Sequence, residues 1–491
     1  MERETKATKR GDEPGLTKLQ DRSEFGPDCP VPSGRQDGGY VPTVGRWGCE
    51  SVVGLPTTPG GVTQDDHRET SRCIGDDGAA AELALVSSTR WAASDSYHLM
   101  AFDQQNGAWP IHHPLPLPAW SDTPKLRLVV DKVWQYEELV AITETVLQRM
   151  LEETFYDTVH NFLDLHGAFR RSGGSDLRLF FQHYTPPVNR RHHMCVSLAM
   201  EIVARLADVV PALAEHLFIV SCEEAVEAAE PYIANCHKGR HLDVAAHSLE
   251  KEHALIAVHI SVAGRDGLMI LDPGYHVARA VTVMKDLCYP HTGWFTQSDE
   301  PHCRREYCYT LSPHSGNFVE WSERTTRGTV VAHELALIYV ERPYRTAIDV
   351  TVRRNLVYNF RSLLARDAKG RVCAGLYFPV VPGPEAQLTL FYDGVNNASV
   401  KVKVKFSTFN RRDSIKVKNQ ETTEKKHLLQ GLQLLPETVA GHVKNLAKQL
   451  RMEFEELLEL LQDLADVAAD QDFVQQTLAI NETITEMSAD N

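Results

Sequence analysis

The sequence predicts an α+β fold in which helices carrying a cysteine come first and an antiparallel sheet or barrel carrying histidine and aspartate follows. Three observations predict it. Apolar residues recur at helical spacing from about 137 to 235, the pattern switches to period two at His253, and helical spacing returns from about 427. Ahead of all this, residues 1–124 hold 14 of the 30 glycines and 12 of the 25 prolines. They have no sustained apolar period, so burial there does not offset the entropy of ordering, and a disordered tail is expected.

Residues 125–395 read as one catalytic-looking domain. KLRLVVDKVWQY is a short extended entry, and 137–169 is one or two amphipathic helices. A further helix is expected from Met194 to Val210, with Leu198, Ile202, Leu206 and Val209 on one face and Pro211 stopping it. A third helical stretch is expected around 223–235. HALIAVHISV (253–262) then places Ala254, Ile256, Val258, Ile260 and Val262 on one face. The turn AGRDG and the run LMILD complete a hairpin. Strand-like runs follow at 306–311, 317–321, 335–340, 375–381 and 387–393.

Residues 396–425 predict a lysine-rich β-hairpin: VKVKVKF, a turn at NRRD, then IKVK. Lysines on an edge strand block edge-to-edge pairing, and an anion-docking face is the sharper alternative. In the acidic helical segment 426–491, Val439, Val443, Ala447, Leu450, Phe454, Leu457, Leu461, Leu464 and Ala468 recur in steps of four and three. This heptad stripe fits a helix packed on its own domain, with a short coiled coil as the alternative.

Charge and composition narrow the function. The chain of 491 residues carries a formal charge of −15, which argues against a general nucleic-acid binder. That charge sits at the ends. Residues 453–491 hold 11 acidic residues and no lysine or arginine, and 1–124 contribute −7, so the body between them is slightly basic. An anionic substrate is therefore compatible with the body. No run approaches the ~18 apolar residues of a membrane span. The charged start MERETKATKRGDEPG has no apolar h-region, so the expected location is cytoplasmic and the ten cysteines are expected as thiols.

One cysteine stands out. Cys195 opens the 194–210 helix directly after Arg190, Arg191, His192, His193 and Met194. The positive end of a helix dipole and nearby cations both favour a thiolate, and Arg190 and Arg191 are the expected support. His253 opens the first strand of the hairpin and Asp272 closes the second. An antiparallel hairpin brings its open ends together, so these two can be neighbours. Thiol nucleophile, imidazole proton carrier and orienting carboxylate are the three types that nucleophilic acyl chemistry needs. His247, His259 and His276 compete for the base role. His253 is preferred for its strand-end position and for the order Cys, His, Asp. Cys288, His302, Cys303 and Cys308 lack the two tight pairs of a structural zinc site, so no metal is expected. No Gly-rich phosphate loop follows a predicted strand.

The segments RRHHMC (190–195), EHALIAV (252–258) and ILDPGYH (270–276) together resemble the arylamine N-acetyltransferases over roughly 125–395. They match that family's Arg-Arg-Gly-Gly-aromatic-Cys segment, its His-hydrophobic strand and its hydrophobic-Asp-x-Gly strand end. His192 and His193 stand in place of its two glycines, and Ser197 where it often has glutamate. The resemblance implies a transglutaminase/papain-like superfold and a Cys195–His253–Asp272 triad. It also implies acetyl-coenzyme A as acyl donor and a small-molecule amine as acceptor, in a ping-pong reaction through a cysteine thioester. An amide hydrolase or transamidase with the same triad is the first alternative. A non-enzymatic scaffold, binding a protein partner through its acidic C-terminal helix, is the second.

Overall fold

A computed structural model describes residues 113–188, 190–238, 251–300, 303–395, 399–410 and 435–488. The architecture is α+β. Among the described residues there are nine α-helices and two sheets, and no helix is long and apolar enough to cross a membrane.

The chain enters through β1 (Leu128–Val130) and helices α1 (Val133–Glu153) and α2 (Val159–Ser172), with the short strand β2 (Phe155–Asp157) between them. The helical run predicted over 137–169 is thus interrupted. The segment between Thr154 and Thr158 pairs instead with a distant strand. Helix α3 (Leu177–His183) and helix α4 (Cys195–Val209) follow. Strand β3 (Phe218–Glu223) is buried at every position, so the helix expected around 223–235 begins only at α5 (Ala229–Lys238).

The larger sheet is built from β4 (His253–Val262), β5 (Arg265–Leu271), β6 (Val281–Met284), β7 (Phe295–Glu300), β8 (Cys303–Leu311), β9 (Phe318–Arg327) and β10 (Val330–Tyr339). Its order is β6-β5-β4-β3-β10-β9-β8-β7. All its pairings are antiparallel except β1, which joins β4 in parallel. The sheet curls: Val281 and Val283 of β6 share one core with Tyr307 and Tyr309 of β8, far along the strand order. Its other face carries α4. Ala254, Ile256, Val258, Ile260 and Val262 pack with Val196, Leu198, Ile202 and Leu206. Burying a large aliphatic side chain contributes about 1.5–3 kcal/mol, so this contact fixes the start of α4 over the start of β4.

A π-helical turn (Ile348–Val352) and the short helix α6 (Arg353–Val357) lead into the second sheet. This comprises β11 (Phe360–Arg366), β12 (Val372–Pro379), β13 (Gln387–Asp393) and β14 (Ser399–Lys405), with β2 on the far edge of β11. The lysine-rich strand pairs with β13, and the rest of the predicted hairpin, including IKVK, lies in residues 411–434, outside the described ones. Lys403 and Lys405 are exposed on this edge strand, and alternate Val404 is buried, the arrangement of a protected sheet edge.

The heptad stripe is two helices, not one, α7 (Glu437–Gln449) and α8 (Phe454–Ala469), and a further helix, α9 (Gln471–Ser488), follows it. The chain turns at Leu450–Glu453, where Arg451 adopts φ 55°. Val443, Ala447, Leu457, Leu461 and Leu464 are buried in the main core, so the stripe packs on its own domain.

The tail boundary also moves. Residues 1–112 lie outside the described ones, but 113–124 are part of the domain. Leu115 is fully buried, Trp120 Nε1 donates to Ser221 Oγ (3.1 Å), and Ala119 N–H donates to Thr346 Oγ1 (2.9 Å). Two aromatic or aliphatic anchors suffice to hold a proline-rich strap that has no periodicity of its own.

Candidate active site

Cys195 is the first residue of α4 and only 2% exposed. Local hydrogen bonds hold the turn that presents it. Ser197 Oγ accepts from Met194 N–H (2.8 Å), and Leu198 N–H closes onto Met194 O (2.9 Å). Glu201, one turn further on, receives both Arg190 Nε (2.9 Å) and Nη2 (3.0 Å), and Arg205 Nε (2.7 Å). Burial raises the pKa of this carboxyl, but the two guanidiniums overcome it and hold it below the usual value. Arg190 thus has a buried carboxylate as its partner and acts on the loop as a strut. Arg191 is exposed.

His253, at the first position of β4, is 3% exposed and Asp272, just past β5, is fully buried. The imidazole Nε2 meets Asp272 Oδ1 at 2.9 Å, and the same oxygen accepts from Tyr275 N–H (3.0 Å). Nε2 is committed to the carboxylate, so Nδ1 is the ring nitrogen left for Cys195, whose side chain lies beside the ring across Gly274. Burial disfavours the charged ring. The charge and hydrogen bond of Asp272, and the contact with Cys195, outweigh it and carry the imidazole pKa well above its ordinary value. Tyr275 stands edge-on to His253 (ring centroids 4.6 Å, 80°) and against Trp321 (4.5 Å), which walls the ring from the inside of the sheet.

Gly274 makes the approach possible. A Cβ there would lie 2.6 Å from His253 Cε1 and 3.1 Å from Cys195 Cβ. The glycine of the Asp-Pro-Gly turn therefore lies between nucleophile and base where no side chain fits. Arg366, buried on β11, clamps the turn by donating from Nη1 to Pro273 O (3.1 Å) and from Nη2 to Thr154 Oγ1 (2.9 Å).

Asn355 of α6 was not anticipated. Its Nδ2 donates to Glu252 O (3.0 Å) and Thr351 O (2.9 Å) and lies 3.9 Å from Cys195 Sγ. One amide thus ties the entry of β4 to the π-helical turn beside the sulfur. Arg361, fully buried, donates to the carbonyls of Asn355 (2.8 Å) and Leu356 and so caps the C-terminal end of α6. No sequence periodicity marks this segment.

The competing histidines are placed elsewhere. His276 is fully buried against Arg366, and burial first, then that positive charge, hold its pKa well below the ordinary value. His259 stacks on Phe218 (5.3 Å) farther along β4, and His247 lies outside the described residues. The two residues standing where the resembled family has glycines both bond to Asp157. His193 is buried, its pKa is pushed down to about 4 by that burial, and its carbonyl accepts from Asp157 N–H. His192 bonds to the Asp157 carboxylate. Cys303 and Cys308 are five residues apart on β8 and so project from opposite faces, and none of the described cysteines forms a disulfide.

No protein-family model matches the chain, and neither curated proteins nor solved structures give a significant match.

Proposed function

We propose that the chain is an acyltransferase that works through a thioester on Cys195, with acetyl-coenzyme A as donor and a small amine as acceptor. The observation that supports this reading is the hydrogen bond from His253 to Asp272 with Cys195, the first residue of α4, beside the same ring. In the first half-reaction, with the Cys195 proton held on His253 Nδ1, Cys195 Sγ attacks the thioester carbonyl. The coenzyme A thiolate leaves and takes that proton from the imidazolium. In the second half-reaction the amine attacks the acyl-cysteine, His253 accepts the amine proton, and the Cys195 thiolate is released. Asp272 stays ionised, fixes the ring by Nε2 and stabilises the imidazolium in both halves.

The slightly basic body between acidic termini suits an anionic thioester. The test is to mix the full chain with acetyl-coenzyme A, with no amine present, and measure mass by peptide. One acetyl group on the Cys195 peptide, absent in Cys195→Ala and discharged on adding an arylamine, is the expected result. An unmodified Cys195 together with turnover of a peptide amide or of glutamine would replace this reading by hydrolysis or transamidation. Indifference of every activity to Cys195→Ala would replace it by a scaffold.

A further inference from the structure

A second cluster lies behind the loop that presents Cys195. Asp157 ends β2 and is 2% exposed in its side chain, while the side chains of His160 and His192 are 26% and 27% exposed. Asp157 Oδ1 is occupied: it accepts the N–H groups of Val159 (2.9 Å) and His160 (3.1 Å) at the start of α2. Its Oδ2 faces two imidazoles at once, His160 Nδ1 at 2.6 Å and His192 Nδ1 at 2.9 Å. The two rings lie stacked, centroids 4.0 Å apart and 15° from parallel. The three donor atoms all lie within 4.8 Å of one another. The backbone is held from both sides, since Asp157 N–H donates to His193 O and Thr158 N–H to Ser362 O (2.9 Å).

We propose that Asp157 Oδ2, His160 Nδ1 and His192 Nδ1 form a binding site for a divalent first-row transition cation of the Zn²⁺ type. Two imidazole nitrogens and one carboxylate oxygen are the donor set that such ions take, with remaining positions left to water. Tetrahedral Zn–N and Zn–O bonds of about 2.0–2.2 Å place donor atoms about 3.3 Å apart, so the oxygen–nitrogen pairs at 2.6 and 2.9 Å must open by about half an ångström. The two imidazoles are about a quarter exposed, whereas the carboxylate is buried and anchored through its other oxygen. Binding at Nδ1 takes the place of the hydrogen that each ring directs at Oδ2, and a neutral ring then carries its hydrogen on Nε2. Asp164, one turn along α2, and Glu456 of α8 add negative charge around His160, which favours a cation.

The consequence concerns the nucleophile loop. His192 is three residues before Cys195, so an ion on these three side chains staples the loop to β2 and the second sheet. An ion bound only to the folded chain stabilises it by mass action. This inference does not depend on the proposed reaction.

The test uses the full chain, freed of metal with a chelator, in competition with a chromophoric zinc indicator and with Co²⁺ as spectroscopic probe. A single equivalent of Zn²⁺ is expected, with a raised melting temperature. His160→Ala and His192→Ala each weaken binding by more than about tenfold, and Cys195→Ala leaves it unchanged. His160→Gln and His192→Gln, which keep side-chain volume, serve if the alanine variants do not fold. Retention of the same affinity in the His160/His192 double variant overturns the proposal. So does a thiolate charge-transfer band in the Co²⁺ spectrum, which would put the ion on a cysteine.

Discussion

Asp157 and Asp272 do the same thing with different neighbours. Each ends or follows a short strand, each accepts backbone N–H groups through one oxygen, and each holds an imidazole within 3 Å. Around Asp272 everything is dry: His253 is 3% exposed, Tyr275 and Trp321 line the ring, and one imidazole takes one carboxylate oxygen. Around Asp157 two imidazoles share one oxygen at the surface. Low dielectric makes an ion pair strong and keeps a proton on a single path, which suits proton transfer to and from a thiol. Partial exposure and a doubled set of nitrogens suit the binding of a cation.

Converting each carboxylate to its amide breaks the comparison most sharply. Asp272→Asn removes the charge that stabilises the His253 imidazolium and lets the ring adopt the wrong tautomer. The expected loss in acylation rate is about 10⁴, the scale seen when an orienting aspartate is neutralised in a triad. Asp157→Asn leaves acylation within a few fold and abolishes zinc binding. Single-turnover acylation and indicator titration on both variants read the two effects separately. Equal losses of acylation in the two would mean that Asp157 belongs to the catalytic machinery.

Gly274→Ala sharpens the buried side. Its new Cβ meets a ring atom held by Asp272 and the Cα of Cys195 at 3.4 Å, so nucleophile and base are pushed apart. Misplacement by about 1 Å costs roughly 10² in rate, expected here with the fold retained and zinc binding unchanged. Asn355→Ala comes next. It removes the donor to Glu252 O and Thr351 O at a half-buried position, worth about 1 kcal/mol, or roughly fivefold if all of it falls on the transition state. Asn355→Asp, which places a carboxylate beside the sulfur, is expected to be worse than alanine. Acylation rates of the three variants check both statements.

The two regions were also unequally legible. Cys195, His253 and Asp272 could be read because each sits at an element end that the sequence marks. These marks are an apolar helical face from Leu198, a period-two strand from Ala254, and a turn at Asp-Pro-Gly. Asn355 could not, because it reaches Cys195 through a π-helical turn and a five-residue helix with no periodic signal. Asp157 was hidden inside a stretch that reads as one or two helices, where no signal marks a strand, and β2 pairs with β11 some 204 residues later (Thr158 N–H to Ser362 O). The C-terminal stripe misled for the opposite reason: its four-three spacing carries on in phase across the break at Leu450–Glu453, so periodicity alone shows one helix where the backbone makes two.

The smallest expected effect is on stability against pH, and it isolates the buried pair. His253 faces Asp272, Cys195 and Tyr275, with Cys222 opposite it on β3. Its pKa in the folded chain lies well above the unfolded value of about 6.5, despite burial, chiefly through Asp272. Below pH ~6.5 the ring is protonated in both states and the pair stabilises fully. As pH rises further the unfolded chain loses this proton first, so the folded state binds more protons and stability falls. The contribution is gone once pH passes the folded value. The slope is at most about 1.4 kcal/mol per pH unit for one proton. His253→Gln cannot titrate, so the melting-temperature gap between the parent chain and this variant is expected to narrow steadily from pH 6.5 upward. Parallel melting curves across that range would mean that the imidazole is neutral in the folded chain, and proton transfer from Cys195 to His253 would then start from a neutral thiol and a neutral ring.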